Sequence, residues 1–391
     1  MSLVVQKMFK KLLIIMCLCS CSEGILEFKH YDDAISFPSY YFENSYLEHK
    51  IVQVKKSMNT QTGISFGFLT DIHIAKHLPS EDSSSTAGNA GYSTHLLKYI
   101  MDRTNVPFVL FGGDVPVVRA KGWEEIMGSS IKWHDMMSVI GRNRVFQTRG
   151  NHDYLGFTTL NGDWLTCGRI CSPKELYPIL MGDNHIYDIM APEGKMYYFF
   201  DLDSVNLRVI VLDDYGDRDT DERISGSSCI GQTQYNWLLN IALNCSNKNI
   251  LLLSHQIADP VLNDGEGDVD TNRKVLHEIL KALVNKTELN FTSSDANGIV
   301  TVIKDFSNDT NVFVCHLAGH QHRDASAKTD GVLSVIHTSD CYSGYRPQGY
   351  YPNRTPGTIT EHAISIFCID FGVRKVKMIR IGAGNNNEWD Y

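Results

Sequence analysis

The sequence predicts an α/β fold in which two β-sheets pack as a sandwich flanked by helices. Two observations carry this prediction. Short apolar runs typical of buried strands alternate with longer segments of helical periodicity. The chain also holds more strand-like runs than one parallel sheet usually needs, so a second, partly antiparallel sheet is expected to pack against the first.

Five apolar runs fit the buried strands of the body. They cover residues 64–69, 108–111, 145–147, 250–253 and 312–315. Helical periodicity lies between them, at 93–104, 123–140, 234–243 and 271–284. The further strand-like runs cover 196–202, 207–212, 332–337, 364–371 and 373–381.

The composition excludes several function classes. Apolar residues make up 43% and charged residues 21% of the 391 residues, which is typical of a folded globular protein and not of a fibrous or disordered one. The 36 Lys and Arg residues against 45 Asp and Glu residues give a formal net charge of −9. An acidic chain without a basic block is not expected to bind nucleic acid by charge.

The first residues differ from the rest and predict a signal peptide over residues 1–21. Lys10 and Lys11 precede a short apolar run, 12–18, and then Ser20 and Cys21. The letters around Cys21 resemble a bacterial lipobox. That resemblance implies a lipid on Cys21 and an exported protein of the bacterial cell envelope, anchored to a membrane as a periplasmic or surface lipoprotein. An ordinary cleaved signal peptide is the alternative.

The rest of the chain divides by composition. Residues 22–60 are polar and aromatic without clear periodicity, and we interpret them as a tether and N-terminal extension. One folded domain is expected over 61–383. The last residues, 384–391, form a polar tail by this interpretation.

A polar motif follows each of the five strands of the body. In chain order the motifs are D-x-H at 71–73, G-D at 113–114, G-N-H-D at 150–153, a lone histidine at 255 and G-H-x-H at 319–322. The functional crevice of an α/β sheet lies beyond the carboxyl ends of its strands. The motifs are therefore expected to converge.

Such a set holds more donor atoms than one tetrahedral ion would use, whereas two ions sharing a carboxylate would use them all. Imidazole and carboxylate suit divalent zinc, manganese or iron. Because the set contains no cysteine, it does not indicate a structural zinc site.

This ordered set resembles the calcineurin-like metallophosphoesterase superfamily, which implies the metallo-dependent phosphatase fold over 61–383. The resemblance implies two divalent metal ions. By it, one ion is held by Asp71, His73 and His322, the other is held by Asn151, His255 and His320, and Asp114 bridges the two.

The resemblance also implies the reaction. A hydroxide between the two ions attacks phosphorus in a phosphomonoester or phosphodiester substrate, with no covalent intermediate. The catalytic candidates are Asp114 and His152, and His152 is expected to contact the substrate phosphate and to protonate the leaving alkoxide. Asp153 and Asp213 are candidates for carboxylates that orient the metal-binding residues from behind.

Two branches of the superfamily are disfavoured by the residues after Asp114. Protein Ser/Thr phosphatases continue with x-V-D-R-G, whereas this chain continues Val115-Pro116-Val117. Purple acid phosphatases carry a tyrosine where Val117 stands and lack the histidine that is His73 here. Two other functions stay open: a non-catalytic surface-binding lipoprotein on the same fold, which would be expected to lose a ligand, and a metal-dependent nuclease.

Overall fold

The protein is described here by a computed structural model. Its described residues are 45–58, 62–74, 90–115, 123–154, 157–160, 163–166, 173–181, 185–215, 230–262, 273–295, 298–340, 352–355 and 358–391. The predicted signal peptide and Cys21 lie outside these residues. No helix among them combines the length and the apolarity needed to cross a membrane.

Each of the ten predicted apolar runs is matched by one of the sixteen strands that the structure describes, and the other six strands were not predicted. The strands are β1 (Gly63–Leu69), β2 (Val109–Phe111), β3 (Val145–Gln147), β4 (Phe157–Leu160), β5 (Asp163–Thr166), β6 (Tyr198–Leu202), β7 (Leu207–Val211), β8 (Asn249–Leu253), β9 (Glu288–Asp295), β10 (Gly298–Asp305), β11 (Val312–Ala318), β12 (Ala325–Thr329), β13 (Val332–Ile336), β14 (Ala363–Asp370), β15 (Lys375–Gly382) and β16 (Asn387–Asp390).

The helices lie between them. They are α1 (Ser45–Met58), α2 (Ala90–Thr104), α3 (Trp123–Ile140), α4 (Asn151–Tyr154), α5 (Pro173–Leu180), α6 (Gln232–Trp237) and α7 (Arg273–Asn285). A π-helical turn, Leu238–Ala242, continues α6.

Two six-stranded mixed sheets form the body, as the sequence predicts. The first has the order β16-β15-β14-β1-β2-β3, in which β1, β2 and β3 are parallel. The second has the order β12-β13-β11-β8-β7-β6, in which β7, β8, β11 and β13 are parallel. The hairpins β4-β5 and β9-β10 stand apart from both sheets.

The two sheets share one apolar core, which confirms the predicted sandwich. Phe66 of β1 and Leu251 of β8 are fully buried members of the same cluster. At one edge, the rings of Phe146 of β3 and Phe200 of β6 stack with centroids 4.0 Å apart. A second apolar cluster fills the space between the second sheet and helices α6 and α7.

The structure differs from the prediction at the N-terminal extension, because α1 belongs to the folded domain. Leu47, Ile51 and Val54 stand on one helical face and are buried in the shared core. The Tyr46 hydroxyl accepts a hydrogen bond of 3.0 Å from the backbone N–H of Gly382. Because this helix carries many charged residues, composition alone does not reveal its short apolar face.

The predicted polar tail also differs, because it contains β16, the edge strand of the first sheet. Its pairing with β15 places Trp389 opposite Val376. The Trp389 indole N–H donates to Ser326 Oγ across 2.9 Å, and Glu388 pairs with Lys377 at 3.2 Å. Side-chain contacts with neighbouring strands hold this polar strand, and such contacts leave no periodic signal in the sequence.

Candidate metal centre

The five motifs lie at the carboxyl ends of parallel strands in both sheets. Asp71 and His73 follow β1, Asp114 follows β2, and Asn151 and His152 follow β3 in the first sheet. In the second sheet, His255 follows β8, and His320 and His322 follow β11. Residues from distant parts of the chain therefore meet at one end of the sandwich, as the sequence predicts.

The backbone at this end is unusual. Five of the predicted site residues that are not glycine adopt positive φ, namely Asp71 (53°), His73 (45°), Asp114 (61°), His320 (66°) and His322 (56°). Such residues cost free energy and persist only where the surrounding structure holds them. Their concentration at one place is typical of a functional site.

Two glycines let the loops approach each other. A Cβ atom on Gly150 would lie 2.0 Å from Asp114 Oδ1. One on Gly319 would lie 2.1 Å from Thr70 Oγ1 and 2.3 Å from Asp71 Oδ2. Because backbone and carboxylate share this space, no side chain fits at either position.

The first group of donor atoms consists of Asp71, His73, Asp114 and His322, whose ligand atoms all lie within 4.8 Å of one another. His73 Nε2 and His322 Nε2 are 2.9 Å apart. His322 Nε2 lies 3.3 Å from Asp71 Oδ1, and His73 Nε2 lies 3.9 Å from Asp114 Oδ2.

The second group shares Asp114 and adds His255 and His320. His255 Nε2 lies 3.3 Å from Asp114 Oδ2 and 3.2 Å from His320 Nδ1. Asn151 Oδ1 is 3.1 Å from each of these two imidazole nitrogens. The Asp114 carboxylate is thus common to two clusters of donors.

These donors fit divalent metal ions. Ligands about 2.1 Å from one ion and at right angles to each other stand about 3 Å apart, close to the separations in both groups. Nδ1–H of His255 donates to the carbonyl of Gly112 across 2.6 Å, which leaves its Nε2 directed at the cluster. Nitrogen and carboxylate donors suit zinc, manganese and iron, so the residues present do not select one of these metals.

The charges within the cluster also suit a cation. Burial raises the pKa of Asp114, but the positive charge of His255 and its hydrogen bond outweigh burial and hold that pKa well below its usual range. Burial lowers the pKa of His255, and the carboxylates of Asp114 and Asp71 more than reverse this, raising it to about 10. A cation that binds His255 at neutral pH therefore displaces a proton.

Comparison with known proteins agrees with this geometry. The family model of calcineurin-like phosphoesterases matches residues 64–324, which contain all five motifs. The chain belongs to the calcineurin-like phosphoesterase family. As a member of this family it is a hydrolase that acts on phosphoester bonds and uses divalent metal ions. No curated protein matches the sequence.

Several solved structures are similar to this calcineurin-like phosphoesterase, and the first of those below shares its fold. A dimetal phosphatase from Danio rerio is 13% identical, with a TM-score of 0.52 over 84% of this chain and 99% of that one. A putative 5'-nucleotidase from Staphylococcus aureus is 13% identical, with a TM-score of 0.40 over 84% of this chain and 54% of that one. The anchor protein of the inner membrane complex of Plasmodium is 12% identical, with a TM-score of 0.41 over 84% and 89%.

Asp153 lies behind the cluster of this calcineurin-like phosphoesterase and joins two motif loops. Its Oδ2 accepts hydrogen bonds from the backbone N–H of Asp114 (2.9 Å) and of Gly150 (2.7 Å), and its Oδ1 accepts one from Val115 (3.0 Å). Burial, with the nearby charge of Asp114, raises the pKa of Asp153 to about 6. The contacts are those of a carboxylate that supports the site from behind.

Asp213 supports the G-N-H-D loop through a residue that the sequence reasoning missed. Arg149 Nη2 lies 2.8 Å from Asp213 Oδ2, and both side chains are essentially inaccessible to solvent. Gln234 Nε2 donates to the Asp213 carbonyl across 2.8 Å, and Gln234 Oε1 accepts from the Asp213 N–H across 2.9 Å. Arg149 stands directly before Gly150 of the G-N-H-D motif, and this position is the signal that could have found it.

We expect Asp213→Asn to lower the free energy of unfolding by about 3 kcal/mol, because it removes the buried negative charge that pairs with the Arg149 guanidinium. Chemical denaturation measures this loss. Asp201→Asn is the matched control: Asp201 also pairs with an arginine, Arg208, but its side chain is 25% exposed, so a loss below about 1 kcal/mol is expected. Equal losses of unfolding free energy in the two variants would contradict the assignment of Asp213 as a buried support of Arg149.

Two further residues missed by the sequence reasoning contact predicted site residues. Thr70 Oγ1 donates to Asp71 Oδ2 across 2.6 Å. Gln256 Nε2 lies 2.6 Å from the hydroxyl oxygen of Tyr215 and 3.3 Å from His320 Nε2. Thr70 and Gln256 each stand next to a motif residue in the chain, which is the signal that could have found them.

Proposed function

We propose that the protein hydrolyses phosphomonoesters or phosphodiesters by direct attack of water, using two divalent ions. Asp71, His73 and His322 would hold one ion. The other would be held by Asn151, His255 and His320, with Asp114 shared between them. The observation that carries this proposal is that the Asp114 carboxylate belongs to both donor groups.

Two ions at this site would supply a water-derived nucleophile at neutral pH and would neutralise charge on the phosphoryl oxygens. The chain's own contribution is to orient these groups before substrate arrives. The backbone N–H groups bound by Asp153 keep the G-D and G-N-H-D loops together. Thr70 and the backbone N–H of His320 both donate to Asp71, which directs its carboxylate.

His152 is the group we propose to deliver a proton to the leaving oxygen. Its backbone N–H donates to Asp114 Oδ1 across 2.9 Å, and its side chain is 12% exposed. Burial lowers the pKa of His152 to about 3, so the imidazole is neutral at pH 7. A phosphate anion next to the ring would favour the protonated form and raise that pKa.

Removal of metal is expected to abolish activity. The full chain is purified, its bound metal is measured by elemental analysis, and hydrolysis of an aryl phosphomonoester is compared with that of an aryl phosphodiester. A chelator should reduce both rates to background, and manganese, zinc or iron should restore them at two ions per chain, because both donor groups must be filled. Full activity after complete removal of metal would refute the proposal.

A further inference from the structure

A buried polar network lies directly behind His322, outside both donor groups. Thr338 follows β13 and is fully buried. Its hydroxyl oxygen lies 2.7 Å from the carbonyl oxygen of His322. Arg354 Nη2 stands 3.5 Å from the same hydroxyl. Because a guanidinium only donates, the hydroxyl hydrogen is left for the His322 carbonyl.

Thr338 is itself held on both sides. Its backbone N–H donates to Asp324 Oδ1 across 3.1 Å. The buried Arg380, which comes from β15 of the first sheet, donates through Nη2 to the same carboxylate oxygen. The Thr338 carbonyl lies 2.7 Å from Nδ1 of His337.

Arg380 also decides the tautomer of His337. Arg380 Nη1 lies 2.9 Å from His337 Nε2, and an arginine offers no acceptor. His337 Nε2 therefore accepts, and its Nδ1–H donates to the Thr338 carbonyl. Every backbone polar group of Thr338 is thus engaged, and its hydroxyl position is set by the first sheet.

The turn that Thr338 contacts needs support. Residues 319–324 connect β11 to β12, and both His320 and His322 in it have positive φ. A residue that is not glycine keeps this conformation only where other contacts hold it. The Thr338 hydroxyl holds the peptide group that follows His322, and His322 is a member of the first donor group and not of the second.

We propose that Thr338 is a positioning residue for the metal ion bound by Asp71, His73 and His322. This inference rests on the proposed function. Loss of the Thr338 hydroxyl removes its hydrogen bond to the His322 carbonyl, lets the turn relax, and moves the imidazole away from the position in which it would bind its ion. The second donor group contains no atom of His322, so its ion is affected much less.

The test compares Thr338→Val, which removes the hydroxyl, with Thr338→Ser, which keeps it. Binding of Mn²⁺ to metal-free protein is followed by calorimetry and by the electron paramagnetic resonance signal of free Mn²⁺. Thr338→Val should weaken one of the two binding steps about tenfold and leave the other unchanged. Thr338→Ser should bind as the unmodified chain does.

Thr104→Val is the matched control, because Thr104 is also buried and donates to a carbonyl, that of Ile100, within α2. It should leave both steps unchanged. The inference is overturned if Thr338→Val binds normally, if Thr338→Ser is equally weak, or if both steps weaken together. An unmodified chain that binds none of Mn²⁺, Zn²⁺ and Fe²⁺ would instead refute the proposed function, and the inference would fall with it.

Discussion

Asp114→Asn is expected to lower turnover by several orders of magnitude and to reduce the bound metal below two ions per chain. Asp114 is the residue common to both donor groups, and its Oδ2 lies 3.3 Å from His255 Nε2 and 3.9 Å from His73 Nε2. Asparagine keeps the shape of the side chain but removes the negative charge and one oxygen donor. A neutral amide could not balance two dications as the carboxylate would.

Elemental analysis and steady-state kinetics on the same preparation check this expectation. Asp370→Asn serves as the control, because Asp370 pairs with Gly63 at the opposite end of β1 and its Oδ1 accepts hydrogen bonds from Thr62 and from nearby backbone N–H groups. It should keep full metal content and full turnover. An Asp114→Asn protein with two ions and normal turnover would refute the shared carboxylate as the centre of the site.

The sequence predicts the donor set because each donor follows an apolar strand. The strand ends at Leu69, Phe111 and Gln147 bring three motifs to one edge of the first sheet by simple geometry. Convergence of His255 and His320 from the second sheet depends on how the two sheets face each other. That facing follows from the shared core, which no local pattern encodes; the strand-end rule predicted that the motifs converge, but not how the two sheets bring them together.

The features that the sequence did not predict depend on contacts between residues that are far apart in the chain. Arg149 meets Asp213 across 64 positions, and Thr338 reaches His322 across 16. Strand β16 depends on Ser326 and on lysines of β15, and α1 depends on a core built from both sheets. Periodicity reports which face of an element is buried, but not which distant polar partner satisfies a given group.

The support residues explain how positive-φ backbone can be maintained at the centre. Thr70 and the His320 N–H bind the Asp71 carboxylate, while Asp153 binds the N–H of Asp114 itself. Asp71, Asp114 and His320 are thereby tied to neighbouring side chains and loops. Part of the folding free energy is used to hold ligands in place, which lowers the reorganisation needed when ions and substrate bind.

His152→Ala is expected to keep both metal ions and to lower turnover about 10²- to 10⁴-fold for substrates with a poor leaving group. The His152 imidazole lies beside the cluster, with its ring centroid 4.9 Å from that of His73, and belongs to neither donor group. The His152→Ala substitution therefore removes a proton donor but no metal ligand. A nitrophenolate leaves without protonation, so its ester should be hydrolysed with a much smaller loss.

The measurement is kcat/KM for a series of aryl and alkyl phosphate esters, plotted against the pKa of the leaving alcohol. The slope should become more negative in His152→Ala, because the alkoxide must then leave unprotonated. His134→Ala is the control, because His134 lies in α3, is half-buried like other residues there, and belongs to neither donor group. This variant should reproduce the slope of the unmodified chain. Equal losses for nitrophenyl and alkyl esters would show that His152 binds the phosphate without donating a proton.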